Sequence, residues 1–170
     1  MSGPVVVLVG PPGAGKSTVG RLVADQLDVA FRDTDDDIET GAGKSIAEIF
    51  VDDGEPAFRA LERAAVKRAL EEHDGVLALG SGAVLASENR EALRHSGSVV
   101  VHLAASARVS FERVGLATSR PVLALNPRAM LAKLADERAP LYAEVATAVV
   151  DTDGAEPADV ARRVVEVIGG

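Results

Sequence analysis

A chain of 170 residues can form one domain burying about two thirds of the surface its unfolded form exposes, so no disulfide, metal or partner is needed to account for folding. It has no cysteine and only three histidines, His73, His95 and His102, which excludes a disulfide framework, a thiolate metal site and a cysteine nucleophile. A net charge of −8 argues against a general nucleic-acid binder, and makes any local cluster of arginines informative as a site for a small anion. The start, MSGPVVVLVG, lacks the basic region of a signal peptide and is too short to cross a bilayer, so a cytoplasmic protein is expected, with no nucleic-acid or membrane partner.

In chain order, short β-branched runs alternate with longer segments of helical period, the pattern of βαβ units on a parallel sheet. Pro4 to Val9 is apolar at every position and reads as a buried strand, and Ser17 to Asp28 follows as a helix with Val19, Leu22, Val23 and Leu27 on one face. Val29 to Asp33 is a short second strand that ends in acid. Short helices are expected from Asp35 to Phe50 around the turn at Thr40-Gly41-Ala42-Gly43, then a long helix over Glu55 to Glu72 with Phe58, Leu61, Ala65 and Ala69 inward. Further strands are expected at Val76 to Leu79, Ser98 to Leu103 and Ala146 to Val150, with helices over 87 to 95, 105 to 114 and Pro157 to Ile168. The segment GLATSRPVLALNP, from Gly115 to Pro127, has little periodicity and reads as a loop.

The run Gly10-Pro-Pro-Gly-Ala-Gly-Lys16-Ser17 fits Gly-x-x-x-x-Gly-Lys-Ser between a buried strand and an amphipathic helix. Glycines let the backbone wrap close to phosphate oxygens, and the amides of Gly13, Ala14, Gly15 and Thr18 with the helix N-terminus offer positive partial charge. Lys16 adds a full charge, and the Ser17 hydroxyl suits a Mg²⁺ ion on the phosphates of a nucleotide. No Asn/Thr-Lys-x-Asp element for guanine occurs, and the third strand runs into Gly80-Ser81-Gly82 rather than the acid of a motor-type ATPase. Asp33 and Asp35 are the nearest acids at a strand end, where parallel sheets gather ligands; alternation would point both to one side, one toward Mg²⁺ and one toward an acceptor hydroxyl. The residues alone leave open whether this is a site or a solvated acidic turn, and Asp36, Asp37 and Glu39 are read as the turn. Arg59 and Glu62, three apart on a helix, read by spacing as an ordinary surface pair, and Arg120 and Arg138 are likewise ordinary individually. Ser81 is no nucleophile, because Leu79 stands where Gly-x-Ser-x-Gly needs its first glycine.

In the order GPPGAGKSTVG, DTDDDIE, TGAGKSIAEIFVDDGEPAFRALE, LALGSGAV, SRPVL and ERAPLY, the chain resembles the shikimate kinase family, small kinases related to nucleoside monophosphate kinases, over nearly its whole length. The third block is the most discriminating, since nucleotide binding in general gives no reason for it. The resemblance implies an ATP- and Mg²⁺-dependent kinase that phosphorylates shikimate in aromatic amino-acid biosynthesis. It implies that Lys16 and the loop hold ATP phosphates, that Ser17 and, through water, Asp33 hold Mg²⁺, and that Arg113 and Pro157 flank adenine. It further implies that Asp35 orients the acceptor hydroxyl, that Arg59 and Arg138 grip the acceptor carboxylate with the backbone of Gly80, Ser81 and Gly82, and that Arg120 closes over the transferred group. The family has glycine where this chain has Ser81, so a strained φ at that residue would put the acceptor in question. A kinase for another polyol or acid, and an ATP-binding regulatory module without turnover, are the alternatives. The expected fold is a doubly wound α/β domain over residues 1–170, a monomer, with a five-stranded parallel sheet ordered 2-3-1-4-5, a substrate-binding insert at about 34–61 and a lid at about 115–127.

Overall fold

The computed structural model describes residues 3–114 and 127–169. Its strands are β1 (Val6–Val9), β2 (Phe31–Asp33), β3 (Val76–Ala78), β4 (Val99–Ala104) and β5 (Ala148–Asp151). All pair in parallel, in the order β2-β3-β1-β4-β5, which is the expected sheet. β1 lies at the centre, with Val6 beside Val76 on one flank and Val99 on the other, and all four of its residues are buried. A strand covered on both faces has no solvated side for polar residues, hence the unbroken apolar run.

Alternation along β1 divides the core in two. Val6 and Leu8 face α1 (Lys16–Leu27) and α8 (Pro157–Gly169), packing with Val19, Val23, Val160 and Val164. Val7 and Val9 face the other way, toward α4 (Glu55–Glu72), α5 (Ser87–His95) and α7 (Pro127–Val145), through Val66, Leu93, Tyr142 and Val145. Each buried Val or Leu is worth about 1.5–3 kcal/mol, so both layers are needed to hold the sheet. α6 (Ala107–Val114) follows β4.

A third, smaller cluster lies beneath α2 (Thr34–Ala42) and α3 (Ile46–Asp53), where Ile38, Ile46 and Ile49 pack on Phe58 of α4. The Phe50 and Phe58 rings are 4.9 Å apart. α3 starts with a capping box in which Ser45 Oγ accepts from Glu48 N–H and Glu48 Oε1 accepts from Ser45 N–H, both at 3.1 Å. The expected turn is shorter than the sequence suggests: Thr40 to Ala42 still belong to α2, and Gly43, at φ 72°, ends that helix.

Element ends differ elsewhere by a residue or two. β2 starts at Phe31 rather than Val29, because Asp28 ends α1 in a left-handed conformation, φ 55°, and the chain needs two more residues to reach the sheet. α7 is an element to which the sequence reading assigns nothing beyond Pro127. Pro140 lies inside it, and its apolar residues form no single stripe, so the helical period is masked. No helix among the described residues is long and apolar enough to cross a membrane.

Candidate active site

The loop from β1 into α1 forms one wall of the site. Gly15, the N-cap of α1, has φ 89°, a left-handed conformation that strains other residues, and no side chain caps the helix. The first-turn N–H groups of α1 are therefore left for a ligand, and an anion is what they suit. Lys16 Nζ donates to the carbonyls of Gly10 at 2.7 Å and Pro11 at 3.0 Å, which folds the ammonium back over the loop.

Opposite the loop stand the ends of β2 and β3. Ser17 Oγ donates to Asp33 Oδ2 at 2.8 Å, while Asp33 Oδ1 caps α2 by accepting from Asp35 N–H at 2.9 Å. Asp35 is thus not on the strand: it sits in the first turn of α2, and the cap, not strand alternation, brings it to the same cavity as Asp33. That cavity, about 280 Å³, is lined by Gly13, Gly15, Lys16, Ser17 and Thr18 on one side and by Asp33, Asp35, Gly80 and Ser81 on the other. A larger cavity of about 540 Å³ between α4 and α5 gathers none of the expected site residues; convergence of chemistry, not volume, identifies the site.

Asp36, Asp37 and Glu39, expected as a solvated acidic turn, instead lie on α2, and none of them lines the cavity that Asp33 and Asp35 share. Asp37 pairs with Arg32 at 2.7 Å, Glu39 Oε2 accepts from Ile46 N–H at 2.9 Å, and Asp36 is exposed. The Asp36 carboxyl is held above its ordinary value by desolvation and by the nearby charge of Asp33, against the pull of Arg21. His102, within β4, is held below the usual imidazole value by burial and then by the charge of Lys16. Its ring stacks on Tyr142, 4.7 Å between centroids.

The turn Gly80-Ser81-Gly82 is where the other residues meet. A Cβ at Gly80 would lie 2.7 Å from Asp35 Oδ1 and 2.9 Å from Glu62 Oε2; one at Gly82 would lie 2.5 Å from Arg59 Nη1. Only residues without side chains let a carboxylate pair and a guanidinium approach the backbone this closely. Arg59 is no surface residue: its Nη1 donates to Glu62 Oε1 at 2.8 Å, its Nε to Glu55 Oε2 at 3.2 Å, and Glu62 is 2% exposed. The spacing rule that makes such a pair ordinary assumes solvent on both partners, and Glu62 has almost none. Arg138, on α7, donates through Nη1 to Ser81 Oγ at 3.3 Å. Ser81 does not have positive φ, since Asp28 is the only such non-glycine residue among those described, so the backbone strain that would question the acceptor is absent.

Arg113 and Pro157 meet on the far side of the loop. Arg113 donates to Gly13 O at 3.0 Å, Thr152 Oγ1 at 2.9 Å and Thr152 O at 2.8 Å. With Pro157, Ala155 and Thr18 it lines a second cavity, about 320 Å³, which shares Gly13, Gly15 and Thr18 with the first. Arg120 and the expected lid, apart from Pro127, lie outside the described residues. Sequence reasoning missed Glu62 as more than the helical neighbour of Arg59, and it missed His102, Tyr142 and Thr34, whose Oγ1 accepts from Gly80 N–H at 3.4 Å. For Tyr142 a signal existed, its place four residues after Arg138; for the others the signal is tertiary.

Among the described residues no group of three or more His, Cys, Asp or Glu could hold a metal ion. One hydroxyl and one carboxylate 2.8 Å apart, beside a phosphate loop, nevertheless suit Mg²⁺, which keeps most of its waters and takes phosphate oxygens as ligands.

A family model described as shikimate kinase matches residues 12–169. A shikimate kinase of Streptomyces avermitilis is 54% identical over 168 residues, 99% of this chain and 97% of that one. One of Saccharopolyspora erythraea is 56% identical over 164 residues, 96% of this chain and 93% of that one. Among solved structures, a shikimate kinase from Acinetobacter baumannii in complex with shikimate superposes with a TM-score of 0.93 at 36% identity, covering 99% of this chain and 93% of that chain.

Proposed function

The chain belongs to the shikimate kinase family, and from that premise we propose that it transfers the γ-phosphoryl group of ATP to a hydroxyl of shikimate, giving shikimate 3-phosphate in aromatic amino-acid biosynthesis. The observation that carries this is the single cavity shared by the phosphate loop and by Asp33, Asp35, Gly80 and Ser81, because a donor phosphate and an acceptor hydroxyl must meet in one place.

Phosphoryl transfer needs no protein nucleophile; the protein positions groups and neutralises charge. The acceptor oxygen bonds to the γ-phosphorus as the bond from that phosphorus to the β-γ bridging oxygen breaks and ADP leaves, and Asp35 takes the hydroxyl proton. Lys16 and the first-turn amides of α1 balance the phosphates, and Arg120 is assigned to the transferred group. A Mg²⁺ ion would be held by Ser17 and, through water, by Asp33, and would supply positive charge to the phosphates of ATP. Arg59 and Arg138, reaching the turn at Gly82 and Ser81, provide guanidinium forks that match a carboxylate. Adenine takes the second cavity, against Arg113 and Pro157. The same reading makes the chain a cytosolic monomer.

A coupled ADP-release assay with shikimate, quinate, gluconate and nucleoside monophosphates tests this. Turnover is expected with shikimate. Turnover only with another acceptor would overturn the substrate and keep the kinase, and none at all despite tight ATP binding would favour a regulatory module.

A further inference from the structure

Ser81 is the only residue with a side chain in the turn Gly80-Ser81-Gly82, and it is 4% exposed. Its hydroxyl accepts from Arg138 Nη1 at 3.3 Å and its carbonyl accepts from the Tyr142 hydroxyl at 2.7 Å. Arg138 and Tyr142 are four residues apart on α7, so they reach out from the same face of that helix. One residue of the turn therefore holds two successive turns of α7 by different atoms. The two contacts depend on residue 81 differently: any residue offers the carbonyl, whereas only a hydroxyl-bearing one offers the second acceptor. Arg138 is 6% exposed and reaches Ser81, and the Arg59 guanidinium lies against the adjacent Gly82, so two cations converge on one turn. A hydroxyl acceptor fixes the direction of a guanidinium N–H.

We infer that Ser81 is a positioning residue whose hydroxyl presets the Arg138 guanidinium for the acceptor carboxylate. The inference rests on the acceptor site proposed above. An arginine side chain has many rotamers, and ordering it before the ligand arrives removes that cost from binding. The cavity against Arg113 and Pro157, assigned above to adenine, is lined by neither Arg138 nor Ser81.

Steady-state kinetics of wild type, Ser81→Ala, Ser81→Gly and Ser81→Thr, with a thermal melt of each, tests this. Because φ at residue 81 is not positive, alanine is compatible with the native backbone. Ser81→Ala and Ser81→Gly are expected to raise KM for shikimate about three- to tenfold, the range for losing one long hydrogen bond to a charged group, while KM for ATP stays put. Ser81→Thr restores the hydroxyl and with it most of the affinity. In an Arg138→Met background, Ser81→Ala should lower kcat/KM by less than about twofold more, since the partner has gone. Unchanged KM for shikimate in Ser81→Ala, or equal changes in both KM values with a lower melting temperature, would overturn the inference and leave Ser81 a packing residue. If threonine does not fold, the melt reveals it and the alanine and glycine variants still decide. Wild type without turnover on shikimate would remove the proposed function and this inference together, whereas active wild type with an unaffected Ser81→Ala removes the inference alone.

Discussion

At the scale of single residues, the site is built from side chains held by their neighbours before any ligand arrives. Asp35 is placed by the cap that Asp33 makes on α2, and its carboxylate reaches Gly80. Asp35→Asn keeps the shape and removes the base, so kcat on shikimate should fall about 10²- to 10⁴-fold, the usual worth of a positioned proton acceptor. A loss below tenfold in that variant would mean that Asp35 only orients the hydroxyl. Gly82 makes the complementary point. A Cβ there would lie 2.5 and 2.7 Å from the two terminal nitrogens of Arg59, the far end of a flexible side chain, so Gly82→Ala should fold while displacing Arg59. We expect KM for shikimate to rise roughly tenfold with stability changed by under about 1 kcal/mol, the loss of one charge-assisted contact. Unaltered KM for shikimate with an intact melt would show that Arg59 does not grip the acceptor from this position.

Among the elements, the small cluster beneath α2, α3 and α4 sets where Arg59 can be. Phe58 is fully buried among Ile38, Ile46 and Ile49, one residue before Arg59, whose guanidinium lies 5.1 Å from the Phe58 ring centroid. Phe58→Ala should cost about 3–5 kcal/mol in chemical denaturation and also weaken the acceptor site. A cost below 1 kcal/mol would mean that these helices are not held by this cluster. The element scale is also where the sequence was most and least legible. α4 and α5 have the spans that periodicity indicates, but Leu61, expected inward on α4, is exposed, and Glu62 is buried because it turns to Gly80 and Arg59. α7 is invisible in the sequence, which assigns its first residue, Pro127, to a loop. The buried face it turns to the sheet includes Arg138 and Tyr142, both committed to Ser81, so the residues that matter there break the hydrophobic pattern that reveals a helix.

At the scale of the whole molecule, two cavities meet across the phosphate loop, one against Asp35 and Gly80 and one against Arg113 and Pro157, and β4 runs beside β1, which leads into that loop. His102 ends this strand pairing opposite Val9, held below the ordinary imidazole value by burial and by Lys16. The folded protein therefore disfavours the imidazolium, while the unfolded chain accepts the proton near pH 6.5. The stability this group contributes is complete above about pH 6.5 and is lost as the pH falls through and below that value. Urea midpoints between about pH 7.5 and pH 5 should decline less steeply in His102→Phe, which keeps a ring on Tyr142 and removes the titration. Identical slopes in the two proteins would exclude His102 as a source. The sequence by itself determined the phosphate loop, the parallel sheet and the family, because each is written in local order: glycines at fixed spacing, an unbroken apolar strand, blocks in one sequence. Only the tertiary structure decided that Arg59 pairs with a buried Glu62, that Asp35 reaches the cavity from a helix cap, and that Ser81 joins Arg138 and Tyr142. Those facts depend on solvent exclusion and on contacts between distant residues, and spacing along the chain carries neither.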